Sequence, residues 1–491
     1  MEVSGGTAHL VGDPAWWDPA WSYRRVVTVT EMSNANLVDA PVMLTLDAAS
    51  LVASGKLQPT ADDLRFVADG QELVHQVDLD TLGTARLKVV VSLDLPALST
   101  TTVHLYYGNP TAAAPLSGGA LSVVETADDV TVERNGEVHV RMDKTTGRNV
   151  IWGRCMGSII GLRDGTTDFL ATAGCIRYAS LQWLGGPSEG EIQVLQGVTT
   201  TSGPLFAKVT FRGDSINGDF SHVVHYRVFN GTFIDVETEI TANNANPSGF
   251  DGNRAPIPGV LEMDDELPNG GNGEANNEGW ATLRKSGGLV GILLPRNPNA
   301  PYNVWGKDFQ FDWMQQNGYG GFGGWKMRPV TGTFTPLSGT AKFKYGVLWS
   351  ATVTDDAYAQ QVWRTYSQPP VATVGEEETR LPTDGRSLHN LQPVPFSALL
   401  GFQETAVNEN GARITYQLSV DGGTWLWWDA QAGSWQPVVD GTEGSGADEV
   451  NQHISTLTAA APPGALQFRA TLASDGVTPV TLDEVSVSYL P

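Results

Sequence analysis

Alternation with a period of two dominates the chain. Over 137–142 (EVHVRM), Val138, Val140 and Met142 share one face of a strand, and His139 and Arg141 share the other. Residues 233–240 (FIDVETEI) send Ile234, Val236 and Ile240 one way and Asp235, Glu237 and Glu239 the other, as in a sheet with one wet face. Residues 414–420 (ITYQLSV) alternate, Asp421-Gly422-Gly423 turn, and 424–429 (TWLWWD) return, which predicts a hairpin. The final run, VSVSY at 485–489, alternates again. The best candidate for a helix is 355–366 (DDAYAQQVWRTY), opened by two carboxylates that suit a helix N-terminus.

Strands separated by turn signals, without helices between them, predict an all-β protein. The expected architecture is three tandem β-sandwich domains of jelly-roll or concanavalin-like type, the middle one large. The chain of 491 residues is too long for one ordinary core. We place a lead strand in 1–15, a first sandwich in 16–118, a large sandwich in 119–375 and an accessory sandwich in 376–491. An Ala/Pro stretch, AAAPLSGG, closes the first unit, and the acidic GEEET reads as the linker into the last. The run EVSGGTAHLV after Met1 reads like the closing strand of a preceding domain, which favours a larger parent assembly.

Charge narrows the function. The chain carries 54 acidic and 30 basic residues, a net of −24, a field that repels phosphate backbones and anionic membranes. Nucleic acid is therefore not an expected partner. Strongly apolar runs stay short of ten residues, so no membrane insertion is expected. Residues 376–491 hold 15 acids against four arginines and no lysine, a net of −11. That excess is either a solubilising surface or a set of carboxylates open to calcium. No cofactor is expected to be required, and calcium is the ion that these carboxylates would suit. Cys155 and Cys175 form neither a disulfide framework nor a zinc pattern; they pair with each other or sit as buried thiols. Met1 is followed by neither a basic nor an apolar leader region. Either the protein is made in the cytoplasm and released by lysis, as virion proteins are, or Met1 heads a trimmed form of a secreted one.

The first unit carries a series of motif pieces: Trp21-Ser-Tyr23-Arg24-Arg25, Asp39-Ala-Pro41-Val42, Asp62-Asp63-Leu64-Arg65-Phe66, Leu87-Lys88-Val89 and a closing Tyr106-Tyr107-Gly108-Asn109-Pro110. Over about a fifth of the chain this resembles an uncharacterised concanavalin-like domain family of secreted, surface and viral proteins. The resemblance implies a lectin-like sandwich and no settled ligand residues. The same aromatics read equally as core, with Gly108-Asn109-Pro110 ending a strand. Trp16 and Trp17, just ahead of the domain, are the alternative sugar-stacking platform.

The last unit places Trp425, Trp427, Trp428 and Trp435 within eleven residues. A sandwich buries some of them; the surplus is either further core or a flat platform for the C–H faces of a pyranose ring. Trp425 and Trp427 share a strand face and are the carbohydrate-binding candidates. The unit is similar to modules of large bacterial surface proteins and tail-associated phage proteins, often found beside sugar-active domains.

Any chemistry is expected in the middle unit. Residues 302–328 combine Trp305, Trp313, Tyr319, Trp325, Lys326 and Arg328 with a glycine-dense run at 318–324, which reads as an exposed loop able to stack and neutralise an acidic sugar. The opposite reading folds this loop back onto its own sheet. His222 and Tyr226 fall on one face of a strand, His225 and Arg227 on the other. His222 and Tyr226 are candidates for base and acid in β-elimination at a uronate, with Arg254, Lys326 or Arg328 neutralising the carboxylate. The strand style of this unit is similar to polysaccharide-lyase and galactose-mutarotase-like sandwiches, with no motif that transfers residue by residue. Asp264, Asp265 and Glu266 are calcium candidates without EF-hand spacing, or a solvated acidic loop.

The leading expectation is a structural protein of a cell surface or virion (phage-tail type) that binds a polysaccharide, surface glycan or receptor, with further subunits of such an assembly as partners. The alternative is an enzyme, lyase-like, that degrades acidic glycans with its middle domain.

Overall fold

The computed structural model describes residues 2–4, 7–9, 16–115, 121–145, 156–170, 175–180, 192–215, 218–243, 257–263, 279–285, 288–294, 309–315, 323–329, 339–353, 356–381, 383, 385–390, 392–408, 411–457 and 464–491. They form an all-β architecture of three sandwiches, as the alternation predicts. The helix expected at 355–366 is present as Asp356–Ser367, and its Ala359 and Trp363 bury against Trp280, Leu289, Leu293 and Leu348.

The first sandwich packs two sheets around Val27, Leu44, Phe66, Val89, Leu105 and their neighbours. One sheet runs Leu37–Leu46, Leu87–Leu95, His75–Val77. The other runs Val371–Thr379, Tyr23–Thr30, Thr100–Tyr107, Arg65–Ala68, Gln71–Glu72. Its edge strand therefore comes from the far side of the middle domain. The GEEET stretch, expected as a linker, is the end of that strand. Glu378 meets Arg24 at 2.6 Å, while Glu377 meets Lys56 and accepts from the Tyr107 hydroxyl at 2.7 Å. The strand is held because its acidic residues face the basic end of Tyr23–Thr30, whose Arg25 also donates to Tyr107 at 2.9 Å.

Three separated motif pieces of this domain converge on Asp63. Its carboxylate accepts from Gly108 N at 3.1 Å and Gln58 N at 2.9 Å, and its carbonyl accepts from the Trp21 indole at 3.1 Å. Gly108 sits at φ +81, and a Cβ there would come 2.5 Å from the Tyr23 ring. Conformation and packing both demand glycine. Trp16 and Trp17 pack on Tyr106 and Trp21 on the outside of this sheet, only partly exposed.

The large sandwich encloses a core from Leu121 to Trp349 between two broad sheets. Among the described residues, one has seven strands, in the order Val194–Thr201, Phe206–Asp214, Phe220–Phe229, Phe233–Ala242, Gly339–Ser350, Gly288–Leu293, Trp280–Lys285. The facing nine-stranded sheet ends in the hairpin Gly323–Pro329 and Phe309–Gln315. The first sandwich docks on the outer face of the seven-stranded sheet. There Asp78 lies 3.3 Å from Lys208 and 3.2 Å from Arg227, and Arg227 also reaches Asp235 at 3.2 Å. Gln76 completes the join by accepting from Leu205 N and Phe206 N and donating to Phe206 O.

The last sandwich has a four-stranded sheet, Glu2–Ser4, Thr7–His9, Thr481–Leu490, Ala398–Val407. Its facing sheet runs Arg386–His389, Ala465–Ala473, Arg413–Ser419, Leu426–Asp429, Ser434–Pro437, with Val394–Pro395 also pairing to Ala465–Ala473. The N-terminal hairpin, expected as a separate lead strand, completes this sheet, with Ala8 opposite Leu482 and buried in the same core. The backbone at the edge strand Ala398–Val407 is covered by a short helix, Ala447–His453, whose Asn451 accepts from Phe402 N at 2.9 Å. Such cover removes an aggregation-prone edge.

Candidate functional site

The four clustered tryptophans divide between the two faces of one sheet. Asp421 caps the hairpin turn by accepting from Gly423 N at 2.8 Å and Thr424 N at 2.7 Å, and Gly422 takes φ +74. The turn sets the register: Leu418 pairs with Leu426, and both are core. With Leu426 inward, period two sends Trp428 inward and Trp425 and Trp427 outward. Trp428 packs edge-on to Trp435 at 5.8 Å and stacks flat on His453 at 3.7 Å. Trp435 is buried and donates from its indole to His453 O at 3.3 Å and Thr456 Oγ1 at 3.2 Å. A buried tryptophan needs such a partner for its N–H.

The strand Leu426–Asp429 leaves its neighbour after that one pair, because Ser445 takes the next place. Ser445 bridges Tyr416 by both backbone bonds and accepts from Trp428 N at 2.7 Å. The segment before it runs across the outer face, where Glu443 O and Gly441 O accept from the Gln417 amide. Beside this roof the outer face stays open. Trp425 and Trp427 are partly exposed, and the Arg469 guanidinium is centred 4.2 Å over the Trp425 ring. Arg469 lies opposite Gln417 and His389, Gln467 opposite Ser419, and Thr471 opposite Thr415 and Ser387. The row joins flat aromatic surface to hydrogen-bonding side chains, which is the chemistry a pyranose ring and its hydroxyls require.

The acid–base pair expected in the middle domain does not reach a surface. His222 and Tyr226 do share a face of Phe220–Phe229, and it is the core face, where they are 1% and 0% exposed. The Tyr226 hydroxyl donates to Gly157 O. Both are packed in the core of this sandwich, where neither side chain is exposed to exchange a proton with a polysaccharide. His225 and Arg227 face outward, Arg227 into the buried contact with Asp78 and Asp235. Burial and the charges of Lys208 and Arg212 lower the His225 pKa.

Of the aromatic and cationic cluster at 302–328, Trp313, Trp325, Lys326 and Arg328 stand on strands instead of an exposed loop. Trp313 pairs with Trp325, Asp312 with Lys326 and Gln310 with Arg328 in the edge hairpin of the nine-stranded sheet. Gly323 and Gly324 are strand residues of the same hairpin. Arg254, Trp305, Tyr319, Asp264, Asp265 and Glu266 lie outside the described residues, as does Cys155; Cys175 is buried. Among the described residues no group of three or more His, Cys, Asp or Glu side chains is placed to hold a metal ion. Arg469 is the site residue that sequence reasoning missed. Its one signal is the outward phase of QFRAT, and its closeness to Trp425 follows from a pairing between distant strands.

No family model and no curated protein matches the chain. Among solved structures it is similar to an alpha-mannosidase from Enterococcus faecalis V583, at 12% identity and a TM-score of 0.41, covering 94% of this chain and 56% of that one. It is also similar to a protein in the Glycosyl Hydrolase Family 38 from Enterococcus faecalis, at 12% identity and a TM-score of 0.40, covering 92% and 58%. The chain thus spans little more than half the length of each. No helix among the described residues is long and apolar enough to cross a membrane.

Proposed function

We propose that the protein is a carbohydrate-binding protein that holds its glycan on the outer face of the C-terminal sandwich, at Trp425 and Trp427. The observation that carries this reading is the division of the tryptophans. Trp428 and Trp435 meet the needs of the core, so Trp425 and Trp427 are left on the opposite face beside Arg469, Gln467 and Thr471. Partly exposed aromatics cost solvation and gain nothing in the core, and a ligand that stacks on them supplies the missing contact. A place on a cell or virion exterior, with other surface subunits as partners, belongs to the proposal as well.

A glycan array with the full chain, followed by titration of the best ligand into Trp425→Ala and Trp427→Ala, tests it. The expected result is binding by the native chain and a loss of about tenfold or more in each variant, with unchanged circular dichroism. Binding that survives both substitutions would move the site elsewhere. No binding to any glycan would end the proposal.

A further inference from the structure

We infer that this face selects a sparsely acidic glycan, one whose bound sugar carries a single carboxylate, with Arg469 as the specificity-determining residue. The inference rests on the reading of the face as carbohydrate-binding and adds the class of sugar. Arg469 belongs to a domain with 15 acids and four arginines, and yet among the described residues no carboxylate lies within ion-pair distance of it. The carboxylates of the neighbouring turns are committed to N–H donors of their own. Asp421 accepts from Gly423 and Thr424, and Asp429 from Gln431 and Ala432. Glu443 accepts from Val439, Asp440 and Gly441. Arg469 instead spends its cation on the ring of Trp425, a contact that fixes the guanidinium at the platform and leaves its N–H fork for a ligand.

Two electrostatic effects then oppose each other, and range decides between them. The net charge of −24 repels a polyanion, but at physiological salt that repulsion is screened beyond about 8 Å. A bidentate bond from Arg469 to one carboxylate acts at contact, in a partly desolvated place, and escapes most of that screening. One carboxylate at the platform is therefore favoured. A carboxylate on every sugar meets the rim of Asp421, Asp429, Asp440 and Glu443 and is disfavoured.

The test is calorimetric titration of the full chain with three probes: an oligosaccharide carrying one uronic acid, the same oligosaccharide with its carboxyl reduced to an alcohol, and a fully carboxylated polyuronate. The native chain should prefer the singly acidic probe to its reduced form by about tenfold to a hundredfold, the range of a hydrogen bond to a charged group. Arg469→Gln should bring that ratio close to one, and Arg469→Lys should restore part of it. Equal affinity of the native chain for the acidic and reduced probes would overturn the inference while leaving carbohydrate binding in place, as would an unchanged ratio in Arg469→Gln. Tightest binding to the polyuronate would overturn the sparse-charge part. Absence of binding to all three, together with a blank glycan array, would instead sink the function itself.

Discussion

Arg24 Nε lies 2.6 Å from Glu378 Oε2, across 354 residues of chain. That contact and its neighbours at Glu377 bind the strand Val371–Thr379 into the first sandwich, so the middle domain is an insertion between two strands of one sheet. The termini meet in the same fashion, with the hairpin at 2–9 on the last strand of the chain.

Substituting Glu377 should loosen this closure. Glu377→Ala leaves Lys56 and Tyr107 without their shared acceptor and is expected to lower stability by about 1–3 kcal/mol. Hydrogen exchange should quicken first over 371–379 and 23–30; uniform exchange across the molecule would contradict the local role.

The same carboxylate predicts an acid limit. Burial pushes the Glu377 pKa up, but the hydrogen bonds from Lys56 and Tyr107 and the charges of Lys56 and Arg25 outweigh it, and the net shift is downward from 4.5. A depressed acid stabilises the fold above its unfolded pKa and loses that contribution as pH falls through the folded value. Asp78, beside Lys208 and Arg227, shifts the same way from 3.8. Melting temperature should therefore fall steeply below about pH 4.5, and less steeply in Glu377→Gln.

His75 acts in a higher window. Buried against Phe66, its imidazole has a pKa lowered to about 4 by desolvation, with the Arg65 charge adding to the effect. The unfolded chain takes up a proton near 6.5 that the folded one refuses, so stability declines from about pH 6.5 down to 4, by roughly 3 kcal/mol in all. Nuclear magnetic resonance should find the ring neutral at pH 5.5. A ring that titrates near 6.5 would refute the assignment.

The two tryptophan pairs should separate stability from binding. Trp435→Ala empties a core position and is expected to cost about 3–5 kcal/mol. Trp427→Ala, on the outer face, should cost under about 1 kcal/mol while weakening glycan binding. Chemical denaturation of both variants distinguishes them, and equal losses would place Trp427 in the core.

Deleting residues 1–9 should unpair Thr481 and Leu482 at the start of the strand Thr481–Leu490, lengthening its open edge, and remove Ala8 from the core. The expected outcome is a lower melting temperature and concentration-dependent association by light scattering. A deletion variant as stable and monodisperse as the intact chain would mean that the hairpin is incidental.

Local pattern settled a good deal by itself. Period two announced the strands, the carboxylate pair at Asp355-Asp356 announced a helix over 355–366 (present as Asp356–Ser367), and Asp421-Gly422 announced the hairpin that carries Trp425 and Trp427, because these features depend on residues adjacent in the chain. The shared face of His222 and Tyr226 was legible for the same reason. That this face is the core was not, since an alternating strand in a two-sheet protein does not say which side meets its partner sheet. Pairings between distant strands lay wholly beyond local pattern. The acidic stretch at 375–379 looks like a linker until Arg24, Arg25 and Lys56 are brought to it, and Arg469 looks like any outward arginine until Ala465–Ala473 is laid beside the hairpin of Trp425. Sequence states what each segment offers, whereas partnership depends on the closure of long loops, and only the folded chain decides that.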